Sequence, residues 1–388
     1  MTLNRILLFP LFFISIYFTA CTDEPSDLGS ALLAPDEIII LSTDSDSMMQ
    51  TSSTTLTQVP LGSSNRLHAG RHANLEASFL IRYTFAFPDS IKQDLIDDSL
   101  NVTSARITLN KVYTYGDTSG ILDLVIEKVL SSWSSAGFIA DSLTTLQTTP
   151  VAVDSLIITD TITSFKFDNA LALEWMKIAA EPSSGSNWGL YIKPGTAANK
   201  VFGYQALIAS AEGIPRLQIV LEKPGVYVDT FYYNPLSDIS VLKNIAPYPS
   251  GEYMTVQAGL KIMSWLYFDI SSLPEYAVIN KAELSLISDT TLNIIGDLNN
   301  KVVTYVPGDT TNLDSIASVT VNLTKTGNTF TGNITSMVQD WLVRRDNRGL
   351  VITTSNELNG LERFVFWNSI ASNPALKPRL VITYTNKL

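Results

Sequence analysis

One pattern of short segments occurs twice along this chain of 388 residues. In the C-terminal copy, the segment 364–367 is followed by a loop and the run 377–384, and the corresponding segments of the earlier copy are 201–204 and 214–221. Both copies reach Pro-Arg-Leu and then continue as an alternating run, the pattern of a half-buried strand. A repeat of this length indicates two tandem domains of one kind.

The internal segments of the two copies also follow one another in the same order. A strand-like run at 105–109 corresponds to one at 282–286, and each copy has a short amphipathic helix whose apolar face includes Trp175 or Trp341. Many short strands separated by turn signals are typical of antiparallel sandwiches. We therefore predict an all-β protein made of two tandem jelly-roll-like antiparallel β-sandwiches, each with one short helix, and we place both tryptophans in the cores.

The boundary between the repeats is predicted from the turn-forming pair Pro224-Gly225. It gives a first β-sandwich repeat over residues 37–223 and a second over residues 225–388. Both lengths suit a single domain. The hydrophobic fraction of 45% supplies enough apolar surface for two cores.

The N-terminus has the anatomy of a secretory signal, with a charged start, a short apolar run and small residues before Cys21. Residues 18–21 resemble a bacterial lipobox, which implies a lipoprotein signal peptide over 1–20 and lipidation of Cys21. Residues 21–36 are predicted to form a flexible tether after the lipidated cysteine. The acidic residues that follow Cys21 resemble the surface-export signals of Bacteroidota lipoproteins, so the expected location is the outer membrane, on the cell surface.

Charge and cysteine content exclude some classes of protein. The formal net charge is −11, which argues against nucleic acid as a partner, because phosphate binding needs an excess of Lys and Arg. Cys21 is the single cysteine, so the chain forms no intramolecular disulfide. Stability therefore depends on the two cores, with metal ions as a possible supplement.

A basic cluster in the first repeat is the polar candidate for ligand binding. Arg66, His68, Arg71 and His72 lie close together in an otherwise acidic chain. Such a cluster suits a carboxylated or sulfated glycan, held by charge-assisted hydrogen bonds. A solvated loop with no ligand is the alternative interpretation.

Aromatic residues outside the shared pattern are the second set of candidates. Tyr113, Tyr115, Trp188 and Trp367 have no counterpart in the other copy, so an exposed ring among them could stack on a sugar. Packing in the core or at its rim is the alternative, because large aromatic side chains are usually buried.

Metal and cofactor chemistry have little support in the sequence. No organic cofactor is expected, and the two histidines lie four apart in a strand-like segment, where they do not face one metal ion. Asp-rich stretches at 44–46, 117–123 and 309–314 could hold a structural Ca²⁺, although none has the spacing of an EF-hand. Whether a metal is bound stays open.

The ordered set of motifs resembles the DNRLRE-domain family, which is related to the disaggregatase repeat and to some alginate-binding modules. The second repeat carries the resemblance best, through Gly259, Phe268-Asp269, Ala282, Leu284, Leu286, Trp341, Gly349-Leu350, Pro378-Arg379-Leu380 and Tyr384. The first repeat departs from it, with Tyr83-Thr84 in place of Phe-Asp and Leu221 in place of the final Tyr. The resemblance implies a jelly-roll sandwich and a role at the cell surface or with polysaccharide.

These observations together predict a non-catalytic, lipid-anchored cell-surface protein that binds extracellular polysaccharide. A structural or adhesive outer-membrane lipoprotein that docks a protein partner is the alternative. A polysaccharide lyase or hydrolase in the same fold is the third possibility, since 37 acidic residues always offer pairs of carboxylates.

Overall fold

The computed structural model describes residues 38–43, 48–117, 119–209, 213–298 and 300–386. The predicted signal peptide, Cys21 and the tether over 21–36 lie outside this part of the chain. None of the helices that the structure describes is long and apolar enough to cross a membrane.

Antiparallel strands dominate the described residues. The strands that precede residue 245 are β1 (Ile38–Ser42), β2 (Gln50–Leu56), β3 (Arg66–His72), β4 (Leu75–Tyr83), β5 (Asn101–Tyr115), β6 (Leu124–Val129), β7 (Thr148–Pro150), β8 (Val153–Ile158), β9 (Ile162–Phe167), β10 (Leu190–Pro194), β11 (Val201–Gln205), β12 (Arg216–Lys223), β13 (Tyr227–Tyr233) and β14 (Pro235–Asn244). Those that follow are β15 (Tyr253–Gln257), β16 (Ile262–Phe268), β17 (Val278–Ile287), β18 (Val302–Tyr305), β19 (Pro307–Asp309), β20 (Asn312–Ile316), β21 (Val321–Asn322), β22 (Thr324–Thr326), β23 (Thr329–Asn333), β24 (Leu350–Thr354), β25 (Arg363–Trp367) and β26 (Arg379–Thr385). The α-helices are α1 (Asp89–Ile96), α2 (Asn169–Ala180) and α3 (Thr335–Arg344), and 3-10 turns cover Ala140–Thr145, Pro182–Ser184 and Pro374–Leu376.

The strands build two sandwiches, which confirms the predicted all-β class. In sandwich one, a sheet with the order β13-β12-β5-β9-β8 faces a sheet that contains β14, β4, β10, β6 and β7, with β3 paired to β4 and β11 paired to β3. The long strand β5 belongs to both sheets, because it pairs with β12 and β9 first and with β11 near its end. In sandwich two, the order β1-β26-β17-β23-β22 faces β21-β18-β24-β16-β15-β25, with β2 on β16.

Each sandwich has its own apolar core. Trp175 on α2 is 1% exposed in the core of sandwich one, and Trp341 on α3 is 2% exposed in the core of sandwich two. The prediction that both tryptophans are core residues is therefore confirmed. The alternating strands turn their apolar side chains to the same interior, because successive side chains of a strand point to opposite faces.

The N-terminal strands belong to the second sandwich, which corrects the predicted domain boundaries. Strand β1 pairs with β26, and β2 pairs with β16. The equivalent places in sandwich one are taken by β13, which pairs with β12, and by β14, which pairs with β4. Sandwich one is thus continuous over 66–244, whereas sandwich two combines 38–56 with 253–386. The repeat pattern misplaced these strands because both sandwiches offer the same kind of edge.

Sandwich one contains one more α-helix than predicted. Helix α1 begins after Pro88, and its residues Ile91 and Leu95 are buried against the same core as α2. Its i, i+4 apolar pair is a short signal within eight residues, so it did not stand out from the loop. Sandwich two has one α-helix, α3, in the residues that the structure describes.

An Asn-x-Gly turn recurs at the same place in both sandwiches. Asn187 accepts a hydrogen bond from the Gly189 N–H at 2.8 Å, and Asn347 accepts one from the Gly349 N–H at 3.0 Å. Both glycines have positive φ, 81° and 73°, a conformation that side chains disfavour. A shared turn at this level of detail supports the interpretation of the two halves as one structural repeat.

Candidate functional site

The basic cluster of the first repeat lies at the junction between the two sandwiches. Arg66 donates from Nη1 to the backbone oxygen of Asn359 at 2.8 Å, and its guanidinium lies 5.0 Å from the centre of the Tyr113 ring. Asn359 belongs to sandwich two and also accepts from the Asn65 N–H at 2.9 Å. Arg66 therefore joins the two sandwiches within the molecule.

His68 is an interior residue, which corrects its assignment as a surface ligand contact. Its side chain is 0% exposed, and its backbone N–H donates to Ser240 Oγ at 2.8 Å. Its ring packs edge-on against Tyr113 at 5.7 Å. Burial, with Arg66 nearby, lowers the pKa of His68 from 6.5 to about 3. The imidazole is therefore neutral in the folded protein at physiological pH.

We expect His68 to make the folded state sensitive to acid. Its pKa is depressed on folding, so its contribution is present above the ordinary value of 6.5 and is lost as pH falls toward 3. Between about pH 7.5 and about pH 4.5, the free energy of unfolding should fall by about 2–3 kcal/mol on this account, at about 1.4 kcal/mol per pKa unit. Urea unfolding of the wild type and of His68→Leu at both pH values measures this difference.

The matched control is His72→Leu, which changes the other histidine. It should keep the acid sensitivity of the wild type, whereas His68→Leu should lose it. The comparison between proteins is needed because burial raises the pKa of Asp238 to about 6, which favours the folded state at lower pH. An acid sensitivity equal in wild type and His68→Leu would contradict the assignment.

The remaining members of the basic cluster have partners within sandwich one. Arg71 donates from Nε and Nη2 to the same carboxylate oxygen of Glu76 at 3.0 and 2.5 Å. His72 Nδ1 lies 3.0 Å from the backbone oxygen of Asn199. The structure therefore does not bring the four residues together as an open cationic site.

Tyr113 and Tyr115 are also interior residues, which corrects their selection as candidate ligand contacts and agrees with the alternative of packing in the core. They are 1% and 0% exposed. Tyr113 donates to Glu362 Oε1 at 2.8 Å and accepts from the Leu361 N–H at 3.1 Å, while Tyr115 accepts from Gln257 Nε2 at 3.1 Å. All three partners belong to sandwich two, so these tyrosines bind the sandwiches to each other.

Trp188 and Trp367 are half-buried and lie in different sandwiches. The Trp188 ring is 5.6 Å from the Arg82 guanidinium, and the Trp367 ring is 4.6 Å from Tyr253. Each ring thus has a neighbour within its own sandwich. The structure does not bring the two into one site.

The Asp-rich stretches hold protein groups in the part of the chain that is described. Asp123 accepts from the Ala197 N–H at 3.0 Å, Asp309 accepts from Thr311, and Asp314 pairs with Lys261 at 2.6 Å. The stretch 44–46 lies outside the described residues. Among the residues that are described, no three His, Cys, Asp or Glu side chains converge as a metal site.

A partly covered sheet face in sandwich two carries the best candidate site: Met263, Tyr305 and Val351 are buried beside Leu313, and the aromatic residues of β16 are half-buried. We call the outward side of β2, β16, β24 and β18 the open face. On β16, Trp265 and Tyr267 point outward, while Leu266 and Phe268 between and after them fill the core. The two outward rings stack at 5.8 Å with planes 25° apart. The Trp265 indole donates to the backbone oxygen of Arg348 at 2.8 Å, which fixes its orientation.

The β19–β20 hairpin lies on the open face and separates two cavities. We call the first the aromatic groove: its volume is 370 Å³, and it is lined by residues that include Ser53, Thr55, Met263, Trp265 and 310–314. We call the second the polar groove: its volume is 580 Å³, and it is lined by residues that include Lys261, Tyr305, Asp314, Asn322, Thr353, Asn356 and Glu357. Both volumes fall within the range of ligand sites.

The equivalent face of sandwich one is covered by its own chain. Leu80 takes the place that Trp265 has in sandwich two, and it packs with Ile239 under Trp133 and Phe138. Trp133 is held by a hydrogen bond from its indole to the backbone oxygen of Trp188 at 2.7 Å. The segment that contains Trp133 and Phe138 thus closes this face. In sandwich two, the β19–β20 hairpin covers part of the corresponding face and leaves Trp265 and Tyr267 half-buried.

Sequence reasoning missed Trp265 and Tyr267 as candidates. Both lie in a segment that matches the first repeat, so they counted as part of the shared core pattern. The signal that could have found them was the alternation along the strand, because their side chains point to the opposite face of the sheet from Leu266 and Phe268. The first repeat has Leu80 and Arg82 at the equivalent places, and this contrast marks the surface where the repeats differ.

The fold and the open face together define the class: an all-β protein of two antiparallel sandwiches, one of which carries a grooved, partly covered sheet face. No protein-family model matches the chain, and no curated protein matches it. Solved structures of infectious bursal disease virus match at 12% identity. For the VP2 subviral particle, the match covers 87% of this chain and 77% of the viral chain, with a TM-score of 0.12. For the Gx strain, it covers 88% of this chain and 78% of the viral chain, with a TM-score of 0.10. Scores this low carry no argument about fold or function.

Proposed function

We propose that this protein binds extracellular polysaccharide, without catalysis, through the open face of sandwich two. The observation that carries the proposal is the stacked pair Trp265 and Tyr267 beside a groove lined by hydroxyl groups. Both rings stay half-buried here, whereas Leu80 at the equivalent place of sandwich one is fully covered by its own chain. A partly exposed aromatic surface beside a groove is typical of a binding site.

The chemistry of the aromatic groove suits a sugar ring. A pyranose has a flat C–H face and an edge of hydroxyl groups. The Trp265 ring lines the groove and the Tyr267 ring stacks beside it. Aromatic rings offer an apolar surface that loses little side-chain entropy on binding. The hydroxyls of Ser53 and Thr55, with the amide of Asn312, line the same groove and can donate to and accept from sugar hydroxyls.

The proposed address is the outer membrane, with a lipid on Cys21. Strand β1 begins at Ile38, which lies opposite Thr385 in the last strand of the chain. A tether over 21–36 therefore leads directly into sandwich two and would hold that sandwich next to the membrane. Sandwich one would then lie farther from the anchor.

Docking of a protein partner is the second candidate function, and the edge strand β13 favours it. Within the described residues, β13 has a single strand neighbour, β12, and it exposes 66% of Val228 and 62% of Tyr232. An edge with exposed apolar residues can accept an added strand from a partner. Failure of every glycan to bind would make this function the leading one.

Trp265→Ala is expected to weaken glycan binding about 30-fold or more, because removal of a stacked ring costs about 2 kcal/mol or more of binding free energy. The measurement is affinity electrophoresis of the detergent-purified full chain in gels that contain neutral and anionic polysaccharides. Tyr232→Ala is the matched control, since it removes an aromatic ring that is 62% exposed in sandwich one. Equal mobility shifts for wild type and Trp265→Ala in every polysaccharide that retards the wild type would refute the assignment of the open face.

A further inference from the structure

We propose that the ligand is an uncharged polysaccharide chain long enough to occupy both the aromatic and the polar groove. This inference rests on the proposed function and adds the class of glycan and a second subsite. It departs from the sequence-based expectation of an anionic glycan.

The two grooves belong to one continuous surface. Strand β16 contributes Trp265 to the aromatic groove, and its neighbour β24 contributes Thr353 to the polar groove. Asp314 on the β19–β20 hairpin lines both grooves. A chain that lies in one groove therefore reaches the other by passing the hairpin, without leaving the open face.

The charges of the polar groove exclude a strongly anionic polymer. Its single lysine, Lys261, already pairs with Asp314 at 2.6 Å and lies 4.0 Å from Glu357. Carboxylates thus outnumber cations by two to one among the charged residues that line it. Each uronate or sulfate placed here would lie beside a like charge with no cation left to receive it. Arg66 and Arg71, which favoured an anionic ligand in the sequence, already bind the backbone oxygen of Asn359 and the carboxylate of Glu76.

The polar groove offers the groups that hydroxyls need. Asn322 is exposed, Asn356 is half-buried, and the side-chain amides of both make no hydrogen bond within the residues that the structure describes. Each amide can both donate and accept, which matches a sugar hydroxyl. A half-buried amide without a partner gains more from a ligand than an amide in bulk water does, because part of its hydration is already lost.

The test is calorimetric titration of the detergent-purified full chain with cello-, xylo- and manno-oligosaccharides, from disaccharide to octasaccharide, and with oligogalacturonides as the anionic probe. For the neutral series that binds, affinity should rise with chain length until both grooves are filled. The double variant Asn322→Ala/Asn356→Ala should bind the disaccharide as the wild type does and bind the octasaccharide about tenfold more weakly, since it loses two hydrogen bonds. Its unfolding midpoint should stay that of the wild type.

The possible results separate this inference from the proposed function. An unchanged length dependence in the double variant, with binding still lost in Trp265→Ala, would overturn the second subsite and leave the open face as a binding site. Tighter binding of oligogalacturonides than of every neutral series would overturn the uncharged class. Absence of binding by all four probes would overturn this inference, and loss of binding to every polysaccharide in the gel assay would overturn the proposed function with it.

Discussion

A chain that begins at residue 58 is expected to lose the folded structure of sandwich two while sandwich one stays folded. The missing strands β1 and β2 pair with β26 and β16 over five and seven residues, and Met48 between them is 8% exposed in the core. Their removal leaves two strand edges unpaired and opens the core to water. Loss of this burial and pairing costs several kcal/mol, a large part of the 5–15 kcal/mol that stabilises a typical domain.

Hydrogen exchange read by mass spectrometry measures this result strand by strand. Peptides from β16 and β26 should lose protection in the shortened chain, while peptides from β4 and β12 should keep it. If β16 and β26 stay as protected as in the full chain, the strand assignment is wrong.

A permuted chain is the matched control for the deletion. Attaching residues 38–57 after residue 386 through a short Gly-Ser linker should restore protection, because Ile38 lies opposite Thr385. The linker would take the role that the turn after Lys223 has in sandwich one, where Lys223 lies opposite Tyr227. Restored protection would separate the loss of specific strands from a general effect of truncation.

The assignment of β1 to sandwich two can also be tested in the intact chain by disulfide formation. In a Cys21→Ser background no other cysteine is present, so each added pair reports one contact. The pair Ile40→Cys/Thr383→Cys should cross-link, since these residues are partners in the β1–β26 ladder. The pair Ile40→Cys/Val220→Cys should not, although Val220 holds the equivalent place in β12, because its partner is Thr230.

Tyr113→Phe is expected to lower the free energy of unfolding by about 2–3 kcal/mol. The substitution removes one oxygen, and with it the hydrogen bond to Glu362 Oε1 and the one from the Leu361 N–H. Glu362 is 0% exposed, so its carboxylate loses a donor where water does not replace it. A buried polar group left without its partner costs about 1–3 kcal/mol, and more when it is charged.

Chemical unfolding of Tyr113→Phe and of Tyr232→Phe measures the effect and its control. Tyr232 is 62% exposed, so removal of its hydroxyl should change stability by less than about 0.5 kcal/mol. Glycan affinity of Tyr113→Phe should equal that of the wild type under conditions where both are folded. Wild-type stability together with lost glycan binding would instead support the sequence-based assignment of Tyr113 as a ligand contact.

These two predictions concern the order of the strands in sandwich two and the contact between the two sandwiches. Because β1 and β2 belong to sandwich two, the backbone passes from sandwich two to sandwich one and back again. The buried hydrogen bonds of Tyr113 join the two sandwiches through side chains. Asn74 donates to Gln257 Oε1 at 3.0 Å and accepts from Arg363 at 2.9 Å, so the network extends across the junction beyond Tyr113. We expect the two sandwiches to be coupled in unfolding for this reason.

Local patterns were sufficient to predict the main repeated strands, the two shared helices and the all-β class. Alternation along β5 and β17 and the apolar faces of α2 and α3 report which side chains point inward, and this depends on neighbours within a few residues. Trp175 lies in the core of sandwich one and Trp341 in the core of sandwich two, as the sequence predicted. Helix α1 was missed because its signal is a single apolar pair.

Contacts between distant residues decided the rest. Nothing within 38–56 shows whether these strands join the first sandwich or the second, since both provide equivalent edges and the choice is made by pairing with residues more than 200 positions away. Contacts between distant residues also decide how much of a side chain is exposed. Tyr113 is buried because the second sandwich packs over it. Trp265 stays half-buried because the β19–β20 hairpin covers only part of its face, whereas Trp133 and Phe138 cover Leu80 at the equivalent place of sandwich one. Alternation tells which way a side chain points, but only the packed structure decides what lies on that side.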